Sequence, residues 1–156
     1  MVNWNFNPND VKEVNFEPAP AGDTRVKIVS MIEKKSQSGL DMWEFIFKPS
    51  GGYSNIYWYL TFDPNNPTMT NTNLNNLWSS FGLAGVPTTN VTSQFFTNAI
   101  GAVRVKHEVY NGETKAKVHY LITKEKQVNI PQWQESKGIK SVTGGNDIFQ
   151  DNGPQF

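Results

Sequence analysis

The sequence predicts an all-β domain: a five-stranded barrel with one helix between the third and fourth strands, followed by a flexible tail. Three observations carry that prediction. Short stretches alternate apolar and polar residues at period two, as half-buried strands do. Glycine- and proline-rich breaks separate them, including Pro49-Ser50-Gly51-Gly52 and Asp63-Pro64-Asn65-Asn66-Pro67. One segment has helical spacing instead, with Leu74, Leu77, Trp78 and Phe81 at i, i+3, i+4 and i+7.

Residues 1–21 read as an arm. Their Asn-Pro, Glu-Pro and Ala-Pro steps disfavour helix, and Trp4, Phe6, Val11, Val14 and Phe16 are candidates to tack the arm onto the domain. The domain proper spans 22–133. A first strand runs from Thr24 to Glu33, with Val26, Ile28, Ser30 and Ile32 on one face and Arg25, Lys27, Val29 and Met31 on the other. Lys34 to Gly39 reads as a basic loop. A second strand covers Met42–Lys48, with Trp43, Phe45 and Phe47 sharing a face. A third covers Ile56–Phe62, with Ile56, Trp58, Leu60 and Phe62 opposed to Tyr57, Tyr59 and Thr61. The helix is placed at Asn71–Phe81, capped by Asn71 or Thr72 and stopped by Gly82. Phe95-Phe96 reads as a buried anchor or a short extra turn.

Val103 to Thr123 reads as a hairpin. Asn111-Gly112 is the preferred pair for a two-residue type I′ turn. That turn sets Tyr110 opposite Glu113, Glu108 opposite Lys115, Lys106 opposite Lys117, Val105 opposite Val118 and Arg104 opposite His119. The core face is then Val103, Val105, Val109, Ala116, Val118, Tyr120 and Ile122. The other face carries Arg104, Lys106, Glu108, Lys115, Lys117 and His119. Beyond Glu125 the alternation fades, and Val128, Ile130 and Trp133 are placed to pin a last extended piece. Residues 134–156 are small, polar and amide-rich, a composition that buries little and predicts a flexible tail. Strand, strand, strand, helix, strand, strand is the order of the OB-fold, a small barrel that binds oligonucleotides on one side.

At 156 residues and net charge zero, the chain has the size of one domain. Zero net charge argues against simple electrostatic coating of nucleic acid. The charge is unevenly spread, however: residues 22–126 hold eleven bases and eight acids, while both ends are mildly acidic. With no cysteine, there is neither a disulfide framework nor a thiolate metal site. No apolar run reaches the roughly 18–20 residues of a membrane span, and the opening MVNWNFNPND lacks the basic and apolar regions of a signal peptide. A cytoplasmic, non-membrane protein is the expectation.

Catalytic patterns are few. His107 and His119 fall on opposite faces of the hairpin, which argues against a metal pair. Asp41 and Glu44 are likewise sent apart by alternation, so a paired-carboxylate site does not form. No phosphate-cradling GxxxxGK[ST], GxSxG or HExxH occurs. The expectation is a non-enzymatic protein with no cofactor and no metal. Binding chemistry fits the residues better. A single-strand binder needs cations along the phosphates and aromatic faces for the bases, each stacked base being worth about 1–3 kcal/mol whatever its identity. Tyr57 and Tyr59 alternate with apolar residues and are placed outside. Trp43 is a further stacking candidate, though filling the barrel is open to it and to Phe45. The candidate phosphate-binding cations are Lys27, Lys34, Lys35, Arg104, Lys106, Lys115 and Lys117, with Lys48 nearby. A solvated polar face stays open for each cation alone.

The run Val14-Asn15-Phe16-Glu17-Pro18-Ala19-Pro20-Ala21-Gly22, followed by Arg25-Val26-Lys27-Ile28, resembles the opening of a bacteriophage single-stranded-DNA-binding family once known only as a domain of unknown function. Lys35-Ser36-x-Ser38-Gly39, Met42-x-Glu44-Phe45, Asn76-Leu77-Trp78 through Gly82-Leu83, and Val105-x-His107-Glu108-x-Tyr110-Asn111-Gly112 are similar too, so the likeness spans most of residues 10–123. The resemblance implies an OB-fold protein that binds single-stranded DNA with little sequence preference, in phage DNA replication or recombination inside an infected bacterium. Such proteins commonly end in an acidic tail tipped by phenylalanine that recruits replication enzymes. Asp147, Ile148, Phe149, Asp151 and Phe156 look like a diluted version of it, with Gln155 standing between Pro154 and Phe156. The rival reading is an OB-fold interaction or structural phage protein that binds no nucleic acid.

Overall fold

The computed structural model describes residues 1–10 and 17–136. Val11, Val14 and Phe16 of the arm lie outside the described residues, as do all five tail positions from Asp147 to Phe156. The chain is mostly β. Five antiparallel strands, β1 (Gly22–Lys35), β2 (Asp41–Pro49), β3 (Ile56–Thr61), β4 (Ile100–Tyr110) and β5 (Glu113–Ile122), form one sheet. Helix α1 (Pro67–Phe81) joins β3 to β4, and the one-turn α2 (Ser93–Phe96) follows it.

The strand order is β3-β2-β1-β4-β5, and the sheet is not closed into a barrel. This corrects the expected closed wall. β3 and β5 end the sheet and face each other, with Cα atoms within 8 Å, yet they share no ladder. Two features explain the open seam. β3 is only six residues long. The stretch Glu17–Ala19 also crosses near it: Ser54 N donates to the Glu17 carbonyl at 3.0 Å, and His107 Nε2 donates to the Ala19 carbonyl at 2.7 Å. Ala19 itself is buried in the core.

The core is aromatic. Trp43, Phe45 and Phe47 all point inward from β2, as alternation requires. Phe96 of α2 packs edge-on to Trp43 and Phe45, at 5.4 and 5.2 Å between centroids. α1 buries Leu74, Leu77, Trp78 and Phe81, the stripe expected from its spacing. Close approach of α1 to β4 needs a residue without a side chain. A Cβ on Gly101 would lie 2.8 Å from the Phe81 ring and from Ser80 Oγ. Ser80 Oγ fills the space, donating to Ala102 O at 2.9 Å and accepting from Ala102 N at 3.1 Å.

Several details depart from the sequence reading. The helix starts a turn earlier than Asn71. Asn66 caps it, its Oδ1 accepting from Met69 N at 3.2 Å, and Pro67 occupies the first turn, where its missing N–H is no loss. β1 continues through Lys34 and Lys35, which are strand residues and not loop. A bulge at Val29 reverses its parity, so Met31 enters the core and Ile32 turns outward. A second bulge, at His119, shifts the hairpin register. Arg104 faces Tyr120, not His119, and Leu121 takes the core position expected for Tyr120. The remaining pairs hold, from Val105–Val118 to Tyr110–Glu113, around a turn with Asn111 and Gly112 at φ 51° and 79°. Val109 is exposed, because the hairpin runs past the end of β1, whose ladder stops at Gly22–Val105. Val128 is also exposed, whereas Ile130 is buried against Ala102 and Ile122. Trp4 and Phe6 do not tack the arm down; both are exposed.

Residues 124–136 are held by polar side chains that no local sequence pattern marks. The buried amide Gln127 donates to Ser80 O (2.9 Å) and Ile122 O (2.7 Å) and accepts from Arg25 Nη1 (2.7 Å). Arg25 reaches three carbonyls as well, those of Gln127, Ile130 and Pro131. A buried polar pair is tolerated when its donors and acceptors are matched in this way.

Candidate nucleic-acid interface

The open seam forms a cleft of about 680 Å³. Tyr57 and Tyr59 of β3 form one wall; Lys115 and Lys117 of β5 form the other. Each pair is spaced i, i+2, which puts its members on one face of their strand, about 7 Å apart. The tyrosines are 48% and 46% exposed, as alternation with Ile56, Trp58 and Leu60 predicts. Four of the ten candidate residues therefore meet at one place. Pro18, Ser54, Asn55, Glu113, Thr114 and Ala116 complete the lining.

The cleft's electrostatics are mixed. Lys115 Nζ lies 3.8 Å from Glu113, a loose and exposed pair worth about 0–1 kcal/mol and readily exchanged for another anion. Lys117 has no carboxylate within ion-pair distance among the described residues. Burial, together with a hydrogen bond to the Glu44 carboxylate, raises the Tyr59 hydroxyl above the ordinary phenol range. Tyr59 therefore stays protonated and donates to Glu44, which sits directly across the ladder from it.

The other candidates lie elsewhere. Trp43 is a core residue, 4% exposed, with its ring edge-on to Phe62 at 4.9 Å. Parity puts it inward with Phe45 and Phe47, so it offers no face to a base. An edge of it lines a separate cavity of about 590 Å³ at the far end of β1 and β2, with Phe62 and Lys35. Lys34 sits 3.3 Å from Glu44. That carboxylate is nearly buried, so Lys34 compensates its charge, and drawing Lys34 away would leave Glu44 stranded. Lys35 pairs with Asp41 at 2.6 Å, both well exposed. Lys27 is covered: its Nζ lies 3.9 Å over the Trp133 ring, whose Nε1 donates to Lys48 O at 3.1 Å. Lys48 in turn pairs with Glu135. Residues 131–136 thus lie across the outward wall of β1 and β2 and leave the seam open. On β4, Arg104 Nε is 2.8 Å from Asp23 and Lys106 pairs with Glu108 at 3.1 Å.

Among the described residues no group of three or more His, Cys, Asp or Glu is placed to hold a metal ion, and no helix is long and apolar enough to cross a membrane. No protein-family model matches the chain, and no curated protein matches it.

Proposed function

We propose that this is a non-enzymatic OB-fold protein that holds single-stranded DNA along the β3–β5 seam, with little sequence preference. The observation that carries the reading is the pairing of two exposed tyrosines with two lysines across one cleft. Rings at a two-residue repeat suit successive unstacked bases, and lysines at the same repeat suit the phosphates beside them. Paired bases have no free π-face to offer, so the cleft selects unpaired strands. The strand order supports the OB reading: β1 lies between β2 and β4, and β3 and β5 are left to meet. Work in phage replication or recombination, in the cytoplasm of an infected bacterium, and recruitment of replication proteins through the C-terminal residues, rest on the family resemblance.

A specific observation favours a second reading, a protein-interaction domain. Lys34, Lys35, Lys48, Arg104, Lys106 and Lys115 all have carboxylate partners within the chain. Titration of labelled oligo-dT separates the two. The DNA reading predicts binding at micromolar protein or below, weakening steeply with added salt. Absence of binding at micromolar protein and low salt leaves the interaction reading.

A further inference from the structure

Strict alternation from Val118 onward would send Tyr120 into the core. The extra residue at His119 reverses the parity. Leu121 turns inward opposite Val103, and Tyr120 turns outward opposite Arg104. Tyr120 is 48% exposed as a result. A bulge interrupts the ladder and re-aims a side chain, and bulges of this kind collect beside binding sites.

The ring does not stand alone. Cross-strand partners share a face of the sheet. Tyr120 and Arg104 therefore stand on the same face as the next row, Lys117 opposite Lys106. Lys117 belongs to the lysine wall of the seam, so Tyr120 continues that wall by one row. Two lysines set directly opposite each other repel. Lys106 has Glu108 at 3.1 Å, whereas Lys117 has no carboxylate within ion-pair distance among the described residues. An anion lying between the two lysines relieves the conflict. Arg104 Nε is 2.8 Å from Asp23 Oδ1, yet it makes no hydrogen bond and is shielded from solvent. The guanidinium is thus drawn to Asp23 without being tied to it. Its Cζ lies 5.9 Å from the centroid of Tyr120, and the His119 ring lies 4.9 Å from that centroid. These two neighbours hold the ring in place at the surface. One row further along the same face, Ala102 and Ile122 are buried with Ile130, so the open face ends at Tyr120.

We propose that Tyr120 is a third base-stacking station, reached by a single strand that leaves the seam over Lys117 and Lys106 and ends beside Arg104. The inference rests on the seam reading and lengthens the site that reading describes. Two rings, a cationic row and a further ring match the bases and phosphates of one continuous strand. Tyr120 adds to a strand already held in the seam, so Tyr57 and Tyr59 remain the larger contributors.

Binding of the full chain to oligo-dT of about four and about twelve nucleotides, which bracket much of the range of single-strand site sizes, tests the station. Tyr120→Ala is expected to weaken binding of the longer oligonucleotide about fivefold or more and of the shorter one less than about twofold. Tyr120→Phe keeps the ring and is expected to match the wild type at both lengths. A second readout uses the unaltered chain. With 5-iodouracil in place of thymine, irradiation is expected to join the longer oligonucleotide, and not the shorter, to Tyr120. Indifference of the longer oligonucleotide to Tyr120→Ala, equal losses at both lengths, or adducts confined to Tyr57 and Tyr59 would overturn the station and leave the seam reading standing. A loss in Tyr120→Phe as large as in Tyr120→Ala would assign the effect to the hydroxyl and overturn stacking. Failure of the wild type to bind either length would reject the seam reading, and the station with it.

Discussion

β2 and β3 each carry a set of aromatic rings, and the two sets do opposite things. Trp43, Phe45 and Phe47 of β2 are buried against α1, α2 and one another, while Tyr57 and Tyr59 of β3 stand at the seam with half their surface in solvent. The chemistry of the rings differs little. Parity decides: the ladder sets Phe45 opposite Trp58 on the inner face and Glu44 opposite Tyr59 on the outer face. Aromatic content alone therefore says nothing about binding in this domain. Position along an alternating strand, and the presence of an unclosed edge beside it, say most of it.

The largest effect that would break this contrast is on the inner set. Phe45→Ala removes a fully buried ring that touches Phe47, Trp58 and Phe96, and is expected to cost about 3–5 kcal/mol of stability, read by chemical denaturation. A cost below about 1 kcal/mol would place the ring outside the core. Next comes the outer set. Tyr57→Ala and Tyr59→Ala are each expected to weaken oligo-dT binding by about 1–3 kcal/mol with a much smaller change in the denaturation midpoint. Loss of folding in step with loss of binding would make these rings structural too.

The lysine wall gives a smaller and more diagnostic effect. Lys117→Gln and Lys115→Gln should each lower the slope of log affinity against log salt by about 1. Lys27→Gln, whose cation is covered by Trp133, should leave the slope unchanged. Equal effects at all three positions would spread the site over the whole sheet. The smallest effect is expected of Tyr59→Phe, which keeps the ring and loses the hydrogen bond to Glu44. DNA affinity should hold. Because burial and Glu44 raise the folded-state pKa of Tyr59, its contribution to stability is present below about pH 10, the ordinary phenol value, and is lost as pH rises through the raised value. Tyr59→Phe should therefore flatten the alkaline limb of the stability profile. An unaltered limb would remove Tyr59 from that titration.

Much of the sheet was legible because its signals are local. Asn111-Gly112 announced its turn, the Leu74-to-Phe81 stripe announced its helix, and alternation placed Tyr57 and Tyr59 outside. The two bulges were not legible. Val29 and His119 sit in runs whose alternation continues plausibly through them, and only the paired strand shows that a residue has been skipped. Asn66-Pro67 is ambiguous in the sequence, because residues of this kind both end a strand and start a helix. At the site, the lysines were visible as charges but not as partners. Cross-strand register sets Lys35 opposite Asp41 and Lys34 diagonally across from Glu44, and a segment more than a hundred residues away brings Trp133 over Lys27. The open seam had no signature, since the strand order of a closed barrel and of this sheet is the same.

The central claim is that the β3–β5 seam receives an unpaired strand between tyrosine and lysine walls. Anisotropy titrations of one labelled oligonucleotide, single-stranded and then annealed to its complement, test it most directly when run on the wild-type chain and on Tyr57→Ala/Tyr59→Ala. The account predicts preference for the single strand by at least about 2 kcal/mol, the worth of one to two stacked bases, with that preference lost in the double substitution. Equal affinity for both forms, or a preference that survives removal of both rings, would contradict it.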